Sequence, residues 1–171
     1  MERLSFMLEN SNLMRYLPSV IVPAIGDTLI MVFVSAALSI FFGIILGVIL
    51  ILTANDGLSP HPVIYGVLSK LTDIIRSFPM MILIVAVAPI TRFFIGTKIG
   101  VKAAVFAITL GSTPFATRMT ENSLRTVDPQ LIKMARSIGA SKLQIIFKVM
   151  LVEALPVLIS NFTIMLVNML N

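Results

Sequence analysis

Four apolar stretches, separated by short polar segments, define the architecture that the sequence predicts. The clearest runs from Thr28 to Leu52 without a charged residue. A helix of this length rises about 37 Å, enough to cross a bilayer with some tilt. The others are predicted at about Ile74–Phe94, at Val101–Thr117 and from Ala154 onward. The pattern therefore predicts an all-α, polytopic membrane helical bundle.

Glycine and proline mark the positions where these helices are expected to pack closely or to bend. Gly43 and Gly47 form a G-x-x-x-G pair, which either brings another helix close or reflects how common Gly is in membrane helices. Pro79 and Pro89 are predicted to kink or interrupt the second span.

The segment before the last span has an amphipathic pattern. Asp128 and Pro129 form a strong helix start, since Asp accepts hydrogen bonds from free N–H groups and Pro fits the first helical position. Gly139 is predicted to end this helix, and Ser141 with Gln144 to start another through a capping box. The apolar stripe of the first helix is Leu131, Met134, Ala135 and Ile138.

We name residues 128–148 the elbow: a short helix, a Gly corner and a second helix that leads into the last span. A partner protein that moves the first helix would move the last span through the second. Lys133 and Arg136 lie on the polar side of the first helix. Because a basic amphipathic helix also suits an anionic lipid surface, the pattern alone gives both interpretations equal weight.

Composition supports a membrane chain and excludes several kinds of active site. Only 12% of residues are charged, against about 25% in soluble domains. Cysteine is absent, which excludes thiol catalysis and thiolate metal sites, and no P-loop sequence occurs. His61, between two prolines, is expected to be solvated or interfacial. No paired carboxylates or Ser-His-Asp set can be assembled, so neither a catalytic nor a metal site is expected.

Basic residues predict the orientation. Residues 118–153 hold six of the thirteen Lys and Arg residues and are therefore expected in the cytoplasm. Counting back across the spans places the segment 1–27 outside. The loop 92–102 argues the other way, because its three cations would then lie outside as well. Nucleic-acid binding is not expected from the net charge of +5, since no aromatic and basic surface accompanies it.

Ionisable residues are nearly missing from the apolar spans, which disfavours a proton- or sodium-coupled carrier. Asp73 and Arg76 are spaced to form a pair on one helix surface. Polar residues within the spans either line a pathway or form interhelical hydrogen bonds, and the second role is favoured for any single one. The candidates are Ser112, Thr113, Thr117, Asn161, Thr163 and Asn168.

The run KMARSIGASKLQIIFKVMLVEALP resembles the loop signature of binding-protein-dependent ABC importer permeases. That signature is E-A-A, three residues, Gly, nine residues and I-x-L-P. Ala135, Gly139 and Leu151 match it, and the departures are Lys133, Met134 and Val152. Three further stretches, IRSFP, PITRFFIGTKIG and PFATRMTENSL, resemble the methionine-uptake subgroup. The four stretches occur in the family's order and cover most of residues 28–171, the expected permease domain.

The resemblance implies the permease subunit of an ATP-driven importer, for D- and/or L-methionine, that is not itself an enzyme. In this family a homodimer of five-span subunits lies in the lipid of the bacterial plasma (inner) membrane, with two ATPase subunits beneath it and a substrate-binding protein outside. ATP and Mg are then bound by the ATPase, and this chain needs no cofactor. The resemblance assigns ATPase coupling to the loop 118–153, chiefly to Leu131, Lys133, Met134, Ala135, Arg136, Gly139, Ala140 and Ser141.

Two alternatives stay open. The chain is either a related permease for another amino acid or small solute, or a truncated fragment that does not transport. The second arises because the last apolar segment still runs at Asn171, so that about four of five spans are present. Lys133 reverses the charge that the family presents to its partner, which either weakens coupling or is matched by a change on that partner.

Overall fold

The computed structural model describes residues 20–170 of the chain. Its helices are α1 Val22–Thr53, α2 Pro62–Ser77, α3 Met80–Ile95, α4 Val101–Arg125, α5 Pro129–Ser137 and α6 Lys142–Leu170. Within α6 the segment Ile145–Met150 is a π-helix. No strand occurs in this described part, so the predicted all-α class is confirmed. Most of the predicted segment 1–27 lies outside it, and α1 begins at Val22 rather than Thr28.

Of the described helices, α1 and α6 are each long and apolar enough to cross a membrane, and the bent pair α2–α3 adds a third span if counted as one. α4 is not among them, because its second half carries polar and charged residues. It is nevertheless one continuous helix of 25 residues, about 37 Å long. The predicted span Val101–Thr117 is therefore the first part of α4, and the loop predicted from 118 begins inside that helix.

The second span does not begin at Ile74 as predicted. The chain breaks at Phe78 and Pro79, where α2 and α3 meet at a bend of 115°. Pro79 causes the break, because a residue before proline is disfavoured in the helical region and Phe78 is extended, with ψ at 135°. Pro89, the other predicted interruption, lies inside α3 without ending it.

α4 is the central helix, in contact with α1, α2, α3 and α6. It runs parallel to α1, and two hydroxyl groups of α1 bond to its backbone. Ser35 Oγ donates to the carbonyl of Val105 at 3.3 Å, and Ser39 Oγ to that of Thr109 at 3.2 Å. Both serines are fully buried. The pairing thus combines small side chains with interhelical hydrogen bonds, the two means by which helices associate in lipid.

Further along the same face of α1, glycine allows the two backbones to meet. A Cβ at Gly43 would overlap the side chain of Ala116, and a Cβ at Gly47 would lie 2.5 Å from Cβ of Thr120. The G-x-x-x-G pair is therefore a helix contact and not a matter of composition alone.

A cluster of buried apolar side chains joins the ends of α1 and α4 to the elbow. Its members are Ile51, Leu124, Val127, Ala135, Ile145, Ile146, Met150, Ala154 and Leu158. The cluster lies where α1 and α4 end and α6 begins, so the elbow is packed onto the end of the bundle.

The close approach of α1 and α4 predicts a difference between two glycines of the same helix. Gly47→Ala should lower the free energy of unfolding by about 1–3 kcal/mol, because the added methyl group overpacks the contact with Thr120. Gly26→Ala should leave it unchanged or raise it by up to about 1 kcal/mol, since nothing lies within 4 Å of its Cβ position. Chemical unfolding in detergent measures both, and equal effects would contradict the contact.

Candidate functional site

The first helix of the elbow, α5, begins as the sequence predicts. The Asp128 carboxylate accepts a hydrogen bond from the backbone N–H of Gln130 at 2.8 Å, and Pro129 occupies the first turn. This cap satisfies one of the free N–H groups that every helix start leaves. The helix is therefore defined by its own residues.

The corner of the elbow also follows the prediction. Gly139 has a φ of 78°, in the left-handed region that favours glycine. Two residues later the capping box is formed: Ser141 Oγ accepts from Gln144 N–H at 3.3 Å, and Gln144 Oε1 accepts from Ser141 N–H at 2.8 Å. The start of α6 then continues into the π-helical segment, a feature frequent at functional sites that the sequence pattern did not reveal.

The two sides of α5 have different surroundings. Ala135 is buried in the cluster below it, and Leu131 is half-buried. Met134 and Ile138 were expected on the same stripe, yet 65% and 85% of their surface is exposed. The predicted stripe is thus divided, because α5 packs on the bundle along one edge only. A narrow apolar strip remains uncovered.

The second helix of the elbow extends this uncovered strip. Leu143 and Phe147 are 65% and 61% exposed, whereas Ile145 and Ile146 beside them are buried. Lys133 and Arg136 are exposed as well, and neither forms an ion pair with any described residue. The outer side of the elbow therefore carries apolar and cationic groups together. We name Lys133, Met134, Arg136, Ile138, Leu143 and Phe147 the outer face of the elbow.

The remaining coupling residues predicted from the resemblance lie at the corner. Ala140 is half-buried against the apolar cluster, and Ser141 is exposed with its side chain engaged in the capping box. These residues determine the shape of the elbow, whereas the outer face is its exposed surface.

The polar residues proposed for a pathway do not form one cluster. Thr117 is fully buried, and its hydroxyl donates to the Thr113 carbonyl in its own helix at 2.8 Å. Ser112 is buried too, whereas Thr163 and Asn168 are exposed on α6. The structure therefore does not bring the six together.

Two of these residues have a more specific environment. Asn161 Nδ2 donates to Ser123 Oγ at 2.8 Å and thereby joins α6 to α4. Thr113 lines an apolar groove of about 770 Å³ between α1, α2 and α4. The interhelical bond, the role that the sequence favoured for any single one of these residues, is present at Asn161.

The most elaborate polar site is one that the sequence reasoning missed. Glu121, on α4, has a side chain only 2% exposed. It pairs with Arg118 Nη1 at 2.5 Å and with Arg125 Nη2 at 3.0 Å, and it accepts a hydrogen bond from the Tyr65 hydroxyl at 3.2 Å. Because a buried carboxylate is costly unless it is paired and hydrogen-bonded, these partners make its burial possible.

The two arginines extend the network beyond α4. Arg118 donates to both oxygens of Asp73, at 3.1 and 2.7 Å, and to Ser69 Oγ at 2.6 Å. The expected pair of Asp73 with Arg76 is present but longer, at 3.9 Å. Asp73 therefore serves mainly a contact between helices. The sequence signal was three charges at helical spacing, Arg118, Glu121 and Arg125.

Arg125 links the network to the loop after α1, since its Nη1 lies 3.1 Å from Asp56 Oδ2. Burial alone would lower the pKa of this guanidinium, but the hydrogen bond and the charge of Glu121 outweigh that effect and raise the pKa. Arg125 is thus a permanent cation. We name Glu121, Arg118, Arg125, Tyr65, Ser69, Asp73 and Asp56 the Glu121 network.

Residues 39–171 match the model of a protein family described as the binding-protein-dependent transport system inner membrane component. The chain belongs to this family. The match includes the elbow and the α4 segment of the Glu121 network, so both are parts of the family's domain. The resemblance noted in the sequence is therefore confirmed.

Individual relatives agree with this assignment. The D-methionine transport system permease protein MetI of Yersinia pestis is 41% identical over 145 residues, which are 85% of this chain and 67% of that protein. The methionine import system permease protein MetP of Bacillus subtilis is 40% identical over 68% of this chain and 52% of its own length. Among solved structures, a chain of the MetNI methionine ABC transporter superposes with a TM-score of 0.84 at 38% identity, over 86% of this chain and 68% of the other.

The capping box predicts a local loss of stability that can be measured. Ser141→Ala should destabilise the first turn of α6 by about 1 kcal/mol, because the Gln144 N–H loses its acceptor. The readout is faster hydrogen exchange of the backbone amides at 142–146. Ser137→Ala is the matched control, since that exposed hydroxyl only donates to the Lys133 carbonyl of its own helix. A similar change in both variants would contradict the capping role.

Proposed function

We propose that this chain is the membrane-spanning subunit of an ATP-driven importer for methionine. The family, the methionine permeases among its relatives and the likeness to the MetNI transporter support this proposal. ATP is hydrolysed by a separate ABC ATPase subunit, which binds the nucleotide and Mg. This chain supplies the pathway and the moving helices, with methionine in its D- and/or L-form as cargo.

The outer face of the elbow is the proposed docking site for the ATPase. The observation that carries this proposal is that the inner side of the elbow is packed in the core while its outer face is exposed. Ala135, Ile145 and Ile146 fix the inner side in the core, while Met134 and Ile138 stay uncovered. A displacement applied to the outer face passes into the start of α6, because the Gly139 corner and the capping box join the two helices.

The remaining partners are proposed from the same family membership. A second copy of the chain completes a homodimer, two ATPase subunits bind the two elbows, and a substrate-binding protein delivers methionine from outside. In this arrangement the elbow lies in the cytoplasm and the N-terminal segment outside the bacterial plasma membrane. The excess of Lys and Arg in residues 118–153 supports this orientation.

The decisive experiment reconstitutes the chain in liposomes with a candidate ATPase and a methionine-binding protein. Association in detergent, followed by ATP hydrolysis that rises with methionine and binding protein, would support partner and cargo together. Association without stimulation would favour the non-transporting alternative. Stimulation by another amino acid but not by methionine would favour a related permease. No association would leave the elbow as a helix on the lipid surface.

The corner supplies a sharper test of the elbow's role. Gly139→Val should reduce methionine uptake by at least tenfold, because a β-branched residue at a φ of 78° is strained and changes the angle between α5 and α6. Gly139→Asn is the matched control and should retain most uptake, since Asn tolerates this conformation. Steric crowding does not distinguish the two variants, because nothing lies within 4 Å of the Cβ position. Equal uptake in both variants would remove the corner from the mechanism.

A further inference from the structure

α2 is attached to the bundle mainly through polar contacts. Thr72 is the only residue of this helix that is fully buried. Three of its apolar side chains point away from the bundle: Val63, Val67 and Ile74 are 76%, 64% and 56% exposed. The opposite side carries Tyr65, which reaches the Glu121 network together with Ser69 and Asp73. Leu68, Leu71 and Ile75 instead line the apolar groove of about 770 Å³ that separates part of α2 from α1 and α4. The groove interrupts the apolar packing of α2, so its position depends largely on this network.

Glu121 is the centre on which the attachment depends. Among the described residues it is the one group that contacts both arginines. Arg118 carries the bonds to Ser69 and Asp73 of α2, and Tyr65 of α2 donates to Glu121 itself. Hydrogen bonds between charged groups are roughly twice as strong as neutral ones. Removing the charge of Glu121 would leave Arg118 and Arg125 close together without the anion between them, and like charges repel.

The network also lies next to the elbow. Leu124 and Val127, which flank Arg125, belong to the same buried cluster as Ala135 of α5. In addition, Lys142 Nζ lies 3.1 Å from Ser59 Oγ, in the loop that Arg125 holds through Asp56. The elbow, the end of α4 and the loop before α2 thus contact one another without a break.

We propose that Glu121 is a positioning residue for transport, whose carboxylate holds α2 on the end of α4 so that α2 moves with the elbow. Because α2 meets α3 at the break before Pro79, a shift of α2 changes the direction of α3 in the membrane. A motion that the ATPase applies to the elbow thereby reaches the membrane helices by two routes. The first passes directly through α6, and the second passes through the Glu121 network to α3. The part of this proposal that concerns transport rests on the function proposed above.

The attachment is tested on the chain alone in lipid nanodiscs. The sequence contains no cysteine, so introduced cysteines can be spin-labelled without background. One pair, Val63→Cys with Phe33→Cys, reports α2 relative to α1, and a second pair, Ser137→Cys with Phe33→Cys, reports the elbow. These three positions are exposed and lie outside the Glu121 network. Distances are measured by double electron–electron resonance.

Glu121→Gln should broaden the α2 distance or add a second one, while the elbow distance stays as in the unmodified chain. Asp73→Asn should do the same to a smaller extent, and it keeps the test valid if Glu121→Gln does not fold, because Asp73 is 58% exposed. Asp27→Asn is the matched control, an exposed Asp with no ion pair to any described residue. An unchanged α2 distance in both network variants would overturn the proposal.

The transport half is tested in the reconstituted importer. Glu121→Gln should lower the maximal rate of methionine uptake roughly tenfold, the effect of losing one charged hydrogen bond, and leave the KM for methionine and the binding of the ATPase unchanged. Because both act through Arg118, the double variant with Asp73→Asn should lose no more than Glu121→Gln alone.

Methionine uptake at the normal rate in a variant whose α2 distance has broadened would refute the route through the Glu121 network. If the unmodified chain does not transport methionine, the proposed function fails, and the distances in nanodiscs still decide whether Glu121 holds α2.

Discussion

The fold depends on the contact between α1 and α4. Lipid tails are as apolar as leucine, so helices in a bilayer gain little from hiding apolar side chains from one another, and association relies on close packing and interhelical hydrogen bonds. The serine and glycine positions at four-residue spacing in α1 supply both. With α4 fixed in this way, its other sides are free to receive α2, α3 and α6. The end of α4 then becomes the place where α1, α2 and α6 meet the elbow.

The polar chemistry of the chain is concentrated at that end. The Glu121 network, the bond from Asn161 to Ser123 and the caps of the elbow all lie near the end of α4. An apolar interior does not tolerate unpaired polar groups, and Thr109 Oγ1 is the one buried side-chain polar atom without a hydrogen-bond partner among the described residues. Close packing of small residues, with the two serine hydrogen bonds, therefore determines the shape of the bundle, whereas charged and hydrogen-bonded groups determine how its parts are joined at one end. In a protein of a transport family, this places the polar contacts between helices beside the proposed contact with the ATPase.

The elbow shows how far local sequence signals reach. Its helix start, its corner and its capping box were all predicted, because each depends on residues at most four positions apart. The Pro79 break was predicted for the same reason. The division of the α5 stripe was not, since whether Met134 or Ala135 faces the core depends on where α4 and α6 lie. The missed network has the same cause: Glu121 and Tyr65 are 56 residues apart, and the nearer spacing of Asp73 and Arg76 suggested a simpler pair.

By itself the sequence determined that the chain is an all-α membrane protein, where its helices start and turn, and, through four short motifs, its family. Those properties follow from apolar length, from local backbone preferences and from short runs of residues. Only the tertiary structure decided which glycines touch α4, which side of the elbow remains exposed and that a nearly fully buried glutamate joins α2 to α4. Such contacts arise between distant segments, and a side chain's partners are known only when the helices that carry them have been placed.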